Sequence, residues 1–496
     1  MKFGGHMPLW LLVAIQVVVS AASLVVEIVA GRMLAPYVGM SLYTWTAIIA
    51  VVLAGFSAGH WWGGRIAGRP EALRATGWTL IGAAVTTALA ASLLRWIAGP
   101  VLAGVDHPVW AIVVLCGAVF FLPSLFAGVP APVLAQIGVQ TGRDSGKALG
   151  ALFAAGAIGA IAGTLLAGFL FISWLGSALT LAVVTVTYLF SGLLCLGWAR
   201  ARQVPAGLAS VLALGLAGWA VAAPSPCQVE SDYFCIRTVD MSTDPTRPAR
   251  MMVLDHLVHG TSARDAPQVM FTDHAAMLDG LSRIRATRPD YSSFHIGGGT
   301  YSIPRAIAER DGGPVTVAEI DPQVTRIAAR DFWFDPGTAE ILHMDARVAL
   351  ANRPDRYDVI LGDAFTDIAV PAHLITHEFY QLVRMRLEPG GSYLMNVIDF
   401  EDRLQVLGAV VRTLQTVFPV VEVWTEAAAP APGQRMVFVV VAGTERTALP
   451  GFRTRSPDPI RFAALSDAMV AGIAAADTLT LTDDFAPIAR LMGPAD

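Results

Sequence analysis

The sequence of 496 residues is 54% hydrophobic and only 15% charged, and its formal net charge is −5. Its mean hydropathy of +0.56 excludes an ordinary soluble protein of this length and predicts an integral membrane protein. No basic stripe is present, so nucleic acid is not an expected partner. The long apolar runs fall within residues 9–223, which predicts a helical membrane domain over 1–223 and a polar half after it.

About seven apolar segments of the first half are long enough to cross a bilayer as helices. The first continues into Glu27 and Gly31-Arg32 and is followed by further spans, which distinguishes it from a cleaved signal peptide. The last is short and weakly apolar. The candidate spans are Leu9–Ala30, Tyr43–Gly63, Thr76–Ile97, Val109–Val139, Leu149–Leu170, Ala178–Trp198 and Ala206–Ala223.

Basic residues in alternate short loops predict the orientation of these spans. We expect a multi-pass protein of the inner (plasma) membrane with its N-terminus in the cytoplasm. If the seventh segment crosses, the polar half lies outside the cytoplasm. Cys227 and Cys235 could then form a disulfide, the alternative being two unpaired buried thiols. The basic loop residues are Arg65, Arg69 and Arg74, then Arg143 and Lys147, then Arg200 and Arg202.

Two features within the spans suggest how the helices pack. Glu27 in the first span is costly in lipid unless it is paired, and Arg32 or His60 could supply the partner, the alternative being proton or substrate handling. Small residues at a spacing of three or four favour close helix packing over a transport path. They are Gly55, Gly59 and Gly63, and Gly156, Gly159 and Gly163.

After the membrane domain, strand and helix signals alternate. Tyr233–Val239 and Arg250–Leu254 predict a small β unit within 224–290. The rhythm over 291–496 then predicts a doubly wound, Rossmann-like α/β domain. Its expected elements are Phe294–Ile296, Ile303–Glu309, Val315–Ile320, Gln323–Arg330, Ala339–His343, Tyr357–Leu361, His373–Leu387, Ser392–Val397, Leu404–Thr416, Val420–Trp424 and Arg435–Val441.

A glycine turn joins the first strand and helix of this domain. Gly297, Gly298 and Gly299 let the backbone approach a ligand closely, and the helix that follows directs free N–H groups at it. The next strand ends on Glu319, at the spacing where such folds bind a ribose. The pattern predicts a nucleoside-like ligand, while a plain tight turn is the alternative.

Acidic residues recur at the expected strand ends. Besides Glu319, they are Asp321, Asp345 and Asp363. Ligands of such sheets bind outside the carboxyl ends of the strands, so four acids there predict a binding site. Each could also serve only as a helix N-cap.

These motifs resemble the spermidine synthase (polyamine aminopropyltransferase) family, and more narrowly its members with a fused multi-pass membrane domain. The resemblance covers nearly the whole chain. In the polar half it rests on the glycine turn, Glu319-x-Asp321, Asp345-Ala346-Arg347, Tyr357-Asp358-Val359-Ile360-x-x-Asp363 and Glu378-Phe379-Tyr380. The fused type is indicated by Glu27 to Tyr37, Trp45, Gly63-Gly64-Arg65, Leu122-Pro123-Ser124, Val370–Leu374 and Leu481–Pro487.

The resemblance implies a role for each candidate residue. The glycines would hold the methionine-derived tail, Glu319 the ribose, and Asp345 with Ala346 the adenine amine. Asp363 matches the catalytic aspartate, which helps to deprotonate an amine that attacks the carbon beside a sulfonium. The substrate would be S-adenosylmethionine or its decarboxylated form. No prosthetic group or metal is expected, and a homodimer is left open.

Two departures from the family bear on the substrate. Thr300 stands where soluble members have an aspartate that binds the ammonium of decarboxylated S-adenosylmethionine, and a neutral residue removes a barrier to the intact molecule. His259 stands where the family usually has a glutamine that contacts the sulfonium substrate. The polyamine-seating segment is replaced by Phe271-Thr272-Asp273-His274.

Three function classes follow. The first is an enzyme that releases methylthioadenosine from an S-adenosyl sulfonium, either by transfer to an amine such as putrescine or by intramolecular closure to homoserine lactone. The second is a methyltransferase on the same fold. The third is a nucleoside-binding carrier or sensor. Asp363 favours the first class. The cytoplasmic origin of S-adenosylmethionine conflicts with an external polar half, so the side of that half is left open.

Overall fold

The computed structural model describes residues 7–141, 144–200, 204–366, 369–454, 459–476 and 479–492. The loop residues Arg143 and Arg202 lie outside these ranges. The chain divides into two compact units, Met1–Asp232 and Tyr233–Asp496. The division falls after the expected end of the membrane domain at residue 223.

In the described part of the first unit, six helical segments are long and apolar enough to cross a membrane. The fifth, Ser145–Trp198, contains both expected spans Leu149–Leu170 and Ala178–Trp198. It includes a π-helical turn at Ala167–Phe171 and leaves the helical conformation at Gly176, whose φ is 69°. The helices are α1 Leu9–Val38, α2 Leu42–Ala67, α3 Ala72–Gly104, α4 Pro108–Gly128, α5 Pro130–Thr141, α6 Ser145–Leu166, α7 Ile172–Trp198 and α8 Val204–Ala222.

Glycines allow these helices to pack closely. A Cβ on Gly59 of α2 would collide with the carbonyl oxygen of Leu125 in α4, and one on Gly159 of α6 would collide with the carbonyl of Val17 in α1. Large apolar side chains such as Phe153 and Trp174 face outward instead, 71% and 81% exposed. Small residues inside and large apolar residues outside are the pattern of a helical bundle in lipid.

Arg32 and His60, the two expected partners of Glu27, have other contacts in the structure. Arg32 donates from Nη2 to the carbonyl oxygen of Ser231 at 2.6 Å, and His60 stacks on Phe56. Glu27 forms no ion pair with any residue that the structure describes. Cys116 and Cys195 are free and buried, whereas Cys227 and Cys235 are each disulfide-bonded, so the alternative of two unpaired thiols does not hold.

The second unit begins with the expected β unit. Strands β2 Cys235–Asp240, β3 Ala249–Leu254 and β4 Leu257–Ala263 pair antiparallel, after the short strand β1 Val229–Glu230 that ends the first unit. Strand β4 was not among the expected elements. Helix α9, Asp273–Arg285, then leads into the larger sheet.

The larger sheet has nine strands in the order β12-β13-β10-β11-β9-β8-β5-β6-β7. In this order, the neighbouring strands β9, β8, β5, β6 and β7 pair parallel. Strand β9 and the strands on its other side pair antiparallel, so only half of the sheet is doubly wound. The strands are β5 Ser293–Ile296, β6 Val315–Ala318, β7 Glu340–Leu342, β8 Tyr357–Gly362, β9 Leu387–Phe400, β10 Val420–Glu426, β11 Arg435–Gly443, β12 Gly451–Arg453 and β13 Arg461–Ala464.

Three connecting helices lie where they were expected, whereas the helix Ala346–Asn352 was not among the expected elements and one expected helix differs from the structure. The segment expected as one helix over His373–Leu387 is a 3₁₀ turn, Ala372–Leu374, followed by α13, whose N-cap Thr376 accepts from the N–H of Phe379. The helices are α10 Ser302–Glu309, α11 Pro322–Asp331, α12 Ala346–Asn352, α13 His377–Met385, α14 Gln405–Gln415, α15 Asp467–Ala476 and α16 Ile488–Leu491. The predicted order, apolar helices followed by an α/β domain, is confirmed.

The first strand of the parallel half, β5, marks the point where the strand order reverses. It pairs with β6 on one side and with β8 on the other. The loops after β5 and β8 therefore diverge to opposite sides and leave a crevice at the carboxyl ends of the strands, where ligands of such sheets bind.

The helix packing yields a stability prediction. We expect Gly59→Val to destabilise the protein by about 1–3 kcal/mol, because the side chain would displace the α4 backbone. Gly64→Val in the same helix is the control, since a Cβ there meets no atom within 4 Å. Thermal denaturation in detergent measures both variants, and equal midpoints would contradict the packing described here.

Candidate active site

The glycine turn starts where β5 ends. Gly297 and Gly299 have φ of 93° and 53°, in the region that favours glycine. A Cβ on Gly297 would lie 2.7 Å from the carbonyl oxygen of Asp363, so the turn and the end of β8 touch backbone to backbone. Only glycine at this position permits the close approach, and it brings the first ligand-binding loop against the expected catalytic aspartate.

Glu319 lies beneath this turn and is 6% exposed. Its Oε2 accepts from the N–H of Gly298 at 2.8 Å, and its Oε1 accepts from the N–H of Asp321 at 2.9 Å. Burial raises the pKa of Glu319 to about 7, although these backbone bonds lower it. The side chain lines the cavity described below, so its carboxylate can accept from a ligand hydroxyl as well.

Two of the other three acids of this edge, Asp321 and Asp345, are N-caps, as the alternative allowed. Asp321 accepts from the N–H of Gln323 at 2.8 Å, is almost fully buried and does not line the cavity. Asp345 accepts from the N–H of Val348 through Oδ1 at 3.0 Å but also lines the cavity, where its Oδ2 lies 2.6 Å from Nε2 of His373. Buried Ala346 lines the cavity beside it. The roles of these residues as ligands stay predictions.

Asp363 follows β8 and is fixed by its own backbone and by one neighbour. Its N–H donates to the carbonyl oxygen of Ile296 at 3.0 Å, and its Oδ1 accepts from Nδ2 of Asn396 at 2.8 Å. Its Oδ2 lies 3.8 Å from Nε2 of His274, and the side chain is 30% exposed. One carboxylate oxygen is therefore anchored, while the other stays accessible beside an imidazole.

Asn396 adds an acceptor to this group. Its Oδ1 is buried and has no hydrogen-bond partner among the described residues. A buried amide oxygen without a partner is costly, and a ligand N–H would satisfy it. Because Asn396 also lines the cavity, Asp363 and Asn396 together present two acceptors suited to an amine.

Thr300 and His259 both line the cavity described below. The side chain of Thr300 is buried, and its Oγ1 lies 2.7 Å from Oγ of Ser302, which in turn lies 2.8 Å from Oγ of Ser262. Burial is the main cause that lowers the pKa of His259 to about 4, so its imidazole is neutral at pH 7. Thr300, which stands where the family has an aspartate, therefore lies among uncharged hydroxyl groups.

These residues surround one cavity of about 1040 Å³ within the second unit. It brings together nearly all the predicted site residues, namely Gly297, Gly298, Gly299, Thr300, Glu319, Asp345, Ala346, Asp363 and His259, but not Asp321. Among the residues that the structure describes, no cluster of three or more His, Cys, Asp or Glu side chains is arranged to hold a metal ion.

Several lining residues were not among the predicted site residues. Most come from the β2–β4 unit, the start of α9 and the antiparallel half of the sheet, which meet the parallel half only in three dimensions. The sequence signal for His274 is its place in the segment that replaces the polyamine-seating motif. The added residues include His256, Phe271, Asp273, His274, His373, Asn396 and Arg435.

The chain is similar to known aminopropyltransferases over part of its length. It is 35% identical over 88 residues to a probable polyamine aminopropyl transferase of Bifidobacterium longum, covering 18% of this chain and 20% of that protein. It is 38% identical over 109 residues to a polyamine aminopropyltransferase of Vibrio vulnificus, covering 21% and 36%. The chain thus spans between a fifth and about a third of the length of these relatives. The predicted resemblance is confirmed at this level of sequence similarity.

The chain is also similar to a methyltransferase and to a solved structure. The chain is 31% identical over 172 residues to an N-terminal histidine N-methyltransferase of Emericella nidulans, covering 34% of this chain and 30% of that protein. A probable spermidine synthase structure from Corynebacterium glutamicum superposes over 54% of this chain and 99% of its own, with 18% identity and a TM-score of 0.45. No family model matches the chain.

The raised pKa of Glu319 yields a pH prediction. The expected role of Glu319 is to accept hydrogen bonds from ribose hydroxyls, and this role requires the ionised carboxylate, which predominates above pH 7 and is lost as pH falls below it. We expect the affinity for methylthioadenosine to fall about tenfold between pH 8 and pH 6, as measured by calorimetry. Glu319→Ala should cost about 1.5–3 kcal/mol at pH 8 and remove this dependence.

Glu309→Gln, an exposed acid on α10, is the control and should keep the wild-type profile. A flat profile in the unmodified protein, or unchanged affinity in Glu319→Ala, would mean that the ribose binds elsewhere.

Proposed function

We propose that this chain is a membrane-bound, spermidine synthase-like transferase that cleaves an S-adenosyl sulfonium at its aminopropyl-side carbon and releases methylthioadenosine. An amine nitrogen attacks the carbon beside the sulfonium, a C–N bond forms, and the C–S bond breaks with its electron pair passing to sulfur. The amine then gives its extra proton to a carboxylate. The six apolar helices of the first unit support the membrane location.

The arrangement around Asp363 carries this proposal. Its Oδ1 is held by Asn396, which leaves Oδ2 to orient the attacking amine and to take its proton. His274, 3.8 Å from Oδ2, can receive that proton in turn. The unpartnered Oδ1 of Asn396 supplies a second acceptor for the amine. Two acceptors fix the direction of the nitrogen lone pair, which is the condition for an in-line displacement.

The opposite part of the cavity suits the adenosyl donor. The glycine turn leaves room for the sulfonium tail, Glu319 lies where a ribose would donate hydrogen bonds, and Asp345 lies farther along the same edge. In this proposal the carbon beside the sulfonium lies in the cavity next to the glycine turn and the side chain of Asp363, because the two backbones are in close contact there. The similarity to polyamine aminopropyltransferases supports the same assignment.

The cavity favours an intermolecular reaction. Its volume of about 1040 Å³ stands at the upper end of the roughly 300–1,000 Å³ that is usual for a single small ligand. An adenosyl donor and a small acceptor therefore fit together. Intramolecular closure to homoserine lactone is the second candidate, and the uncharged hydroxyl groups around Thr300, which do not repel the α-carboxylate of intact S-adenosylmethionine, favour it.

A single product assay separates these reactions. Detergent-purified protein receives S-adenosylmethionine or its decarboxylated form, each with and without a mixture of small amines, and the products are identified by mass spectrometry. We expect methylthioadenosine and an alkylated amine, formed only when an amine is present. Homoserine lactone without an acceptor would establish the cyclisation instead. S-adenosylhomocysteine would overturn both and indicate a methyltransferase, as for the similar histidine N-methyltransferase.

Asp363 should matter for turnover more than for donor binding. Asp363→Asn keeps the shape of the side chain but removes the proton acceptor, so we expect turnover to fall by roughly 10²–10⁴-fold with little change in methylthioadenosine affinity. Asp335→Asn is the control for a general effect of the substitution, because Asp335 is an exposed N-cap that does not line the cavity. An equal loss of nucleoside binding in Asp363→Asn would make the residue a ligand rather than a base.

A further inference from the structure

Helix α1 of the first unit carries a polar face in an otherwise apolar segment. This polar face consists of Gln16, Ser20, Ser23 and Glu27, and every residue between them is Val, Ala or Leu. At 3.6 residues per turn, the four positions fall within an arc of about 60° and extend about 16 Å along the helix axis. The face therefore runs through the part of α1 that is apolar enough to lie in a membrane.

Two neighbouring helices contact the polar face. Gln16 donates from Nε2 to Oγ of Ser20 at 3.0 Å, and a Cβ on Gly156 of α6 would lie 3.2 Å from the same Nε2. Oγ of Ser23 lies 3.1 Å from the hydroxyl oxygen of Tyr188, which is buried in α7. The face is thus bordered by α6 on the side of Ser20 and by α7 on the side of Ser23.

Glu27 lies between these two borders, at the end of the face. Its position around α1 falls between those of Ser20 and Ser23. Two contacts set α1 and α6 parallel and in register, and continuing that register brings Glu27 to the level of the π-helical turn Ala167–Phe171, which contacts α1. Such turns are frequent at functional sites. The two contacts are Gly159 on Val17 and Gly163 on Ala21.

Two acceptors of the polar face have no hydrogen-bond partner among the described residues. Oε1 of Gln16 accepts no bond, although the side chain is only 8% exposed. The half-buried carboxylate of Glu27 forms neither an ion pair nor a hydrogen bond with a described residue. In an apolar interior such groups are costly unless a proton or a water molecule satisfies them.

The other titratable groups of α1 and of the helices packed against it form no bond to Glu27 within the described ranges. Arg32 donates to the carbonyl oxygen of Ser231, and Arg95 of α3 donates to that of Ala220. The remaining groups are Tyr37 of α1, Tyr43, His60 and Arg65 of α2, Arg74 of α3, Cys116 of α4, Lys147 of α6, and Tyr188 and Cys195 of α7.

We propose that Glu27 is a proton-binding site within the membrane and that the polar face of α1 carries protons to and from it. The carboxylate takes up a proton to become a neutral acid and releases it again. The hydroxyl and amide groups of the face, with bridging water, relay that proton. A larger solute does not fit along this contact, because even a Cβ at Gly159 would collide with α1. The inference concerns the first unit and does not depend on the proposed transfer reaction.

Proton flux into liposomes tests this proposal. Full-length protein is reconstituted with an internal pH-sensitive dye, and a potassium gradient with valinomycin drives protons inward. We expect faster acidification than in protein-free liposomes. Glu27→Gln should lose the whole excess, because an amide does not take up the proton. Glu71→Gln is the matched control and should keep the unmodified rate, since Glu71 is an exposed acid that precedes α3 and pairs with Arg74.

A chemical label supplies a second measurement on the unmodified protein, which does not require the variant to fold. Dicyclohexylcarbodiimide is an apolar reagent for protonated carboxyl groups. We expect mass spectrometry to find its adduct on Glu27 and not on Glu71, and the labelled protein to lose the excess flux. No adduct on Glu27, no excess flux in the unmodified protein, or an excess that survives in Glu27→Gln would each overturn the inference. Methylthioadenosine binding by the same preparation tests the proposed function separately.

Discussion

The buried carboxylate of Glu319 is the interaction on which the rest of the site depends. It accepts one backbone N–H from the glycine turn, at Gly298, and one from the turn after β6, at Asp321. Two loops at the carboxyl edge of the sheet are thereby fixed to a single side chain. Because an unsatisfied buried carboxylate is costly, these bonds offset part of the burial penalty and also set the position of the turn relative to Asp363.

A second constraint comes from the sheet itself. Its parallel half supplies the glycine turn, Glu319, Asp345 and Asp363, whereas the antiparallel half supplies Asn396 and Arg435. Strand β9 belongs to both halves, since it pairs parallel with β8 and antiparallel with β11. It therefore carries Asn396, which anchors the aspartate, and Ile398, which also lines the cavity. One strand thus links the chemistry of the site to the shape of the acceptor side.

Several elements could be read from the sequence because their signals are local. The glycine turn, the acids that end β6 and β8, and the alternation of strands with helices each lie within a few adjacent residues. Other elements could not. Strand β4 has a short, mixed pattern, and the helix expected over His373–Leu387 is interrupted where Thr376 caps a new helix. A side-chain cap that starts a new helix competes with continuation of the preceding turn, and composition alone does not show which of the two conformations forms.

By itself the sequence determined that a strongly apolar helical region precedes an α/β domain, and that acids and glycines meet at one edge of its sheet, because hydropathy and strand periodicity are properties of the local chain. Only the tertiary structure decided which acids reach the cavity. Asp321 turns away to cap α11, while Asp345 caps α12 and still faces the cavity. It also brought His274, Asn396 and Arg435 together with Asp363, since these residues are distant in sequence and meet only through strand pairing and helix packing.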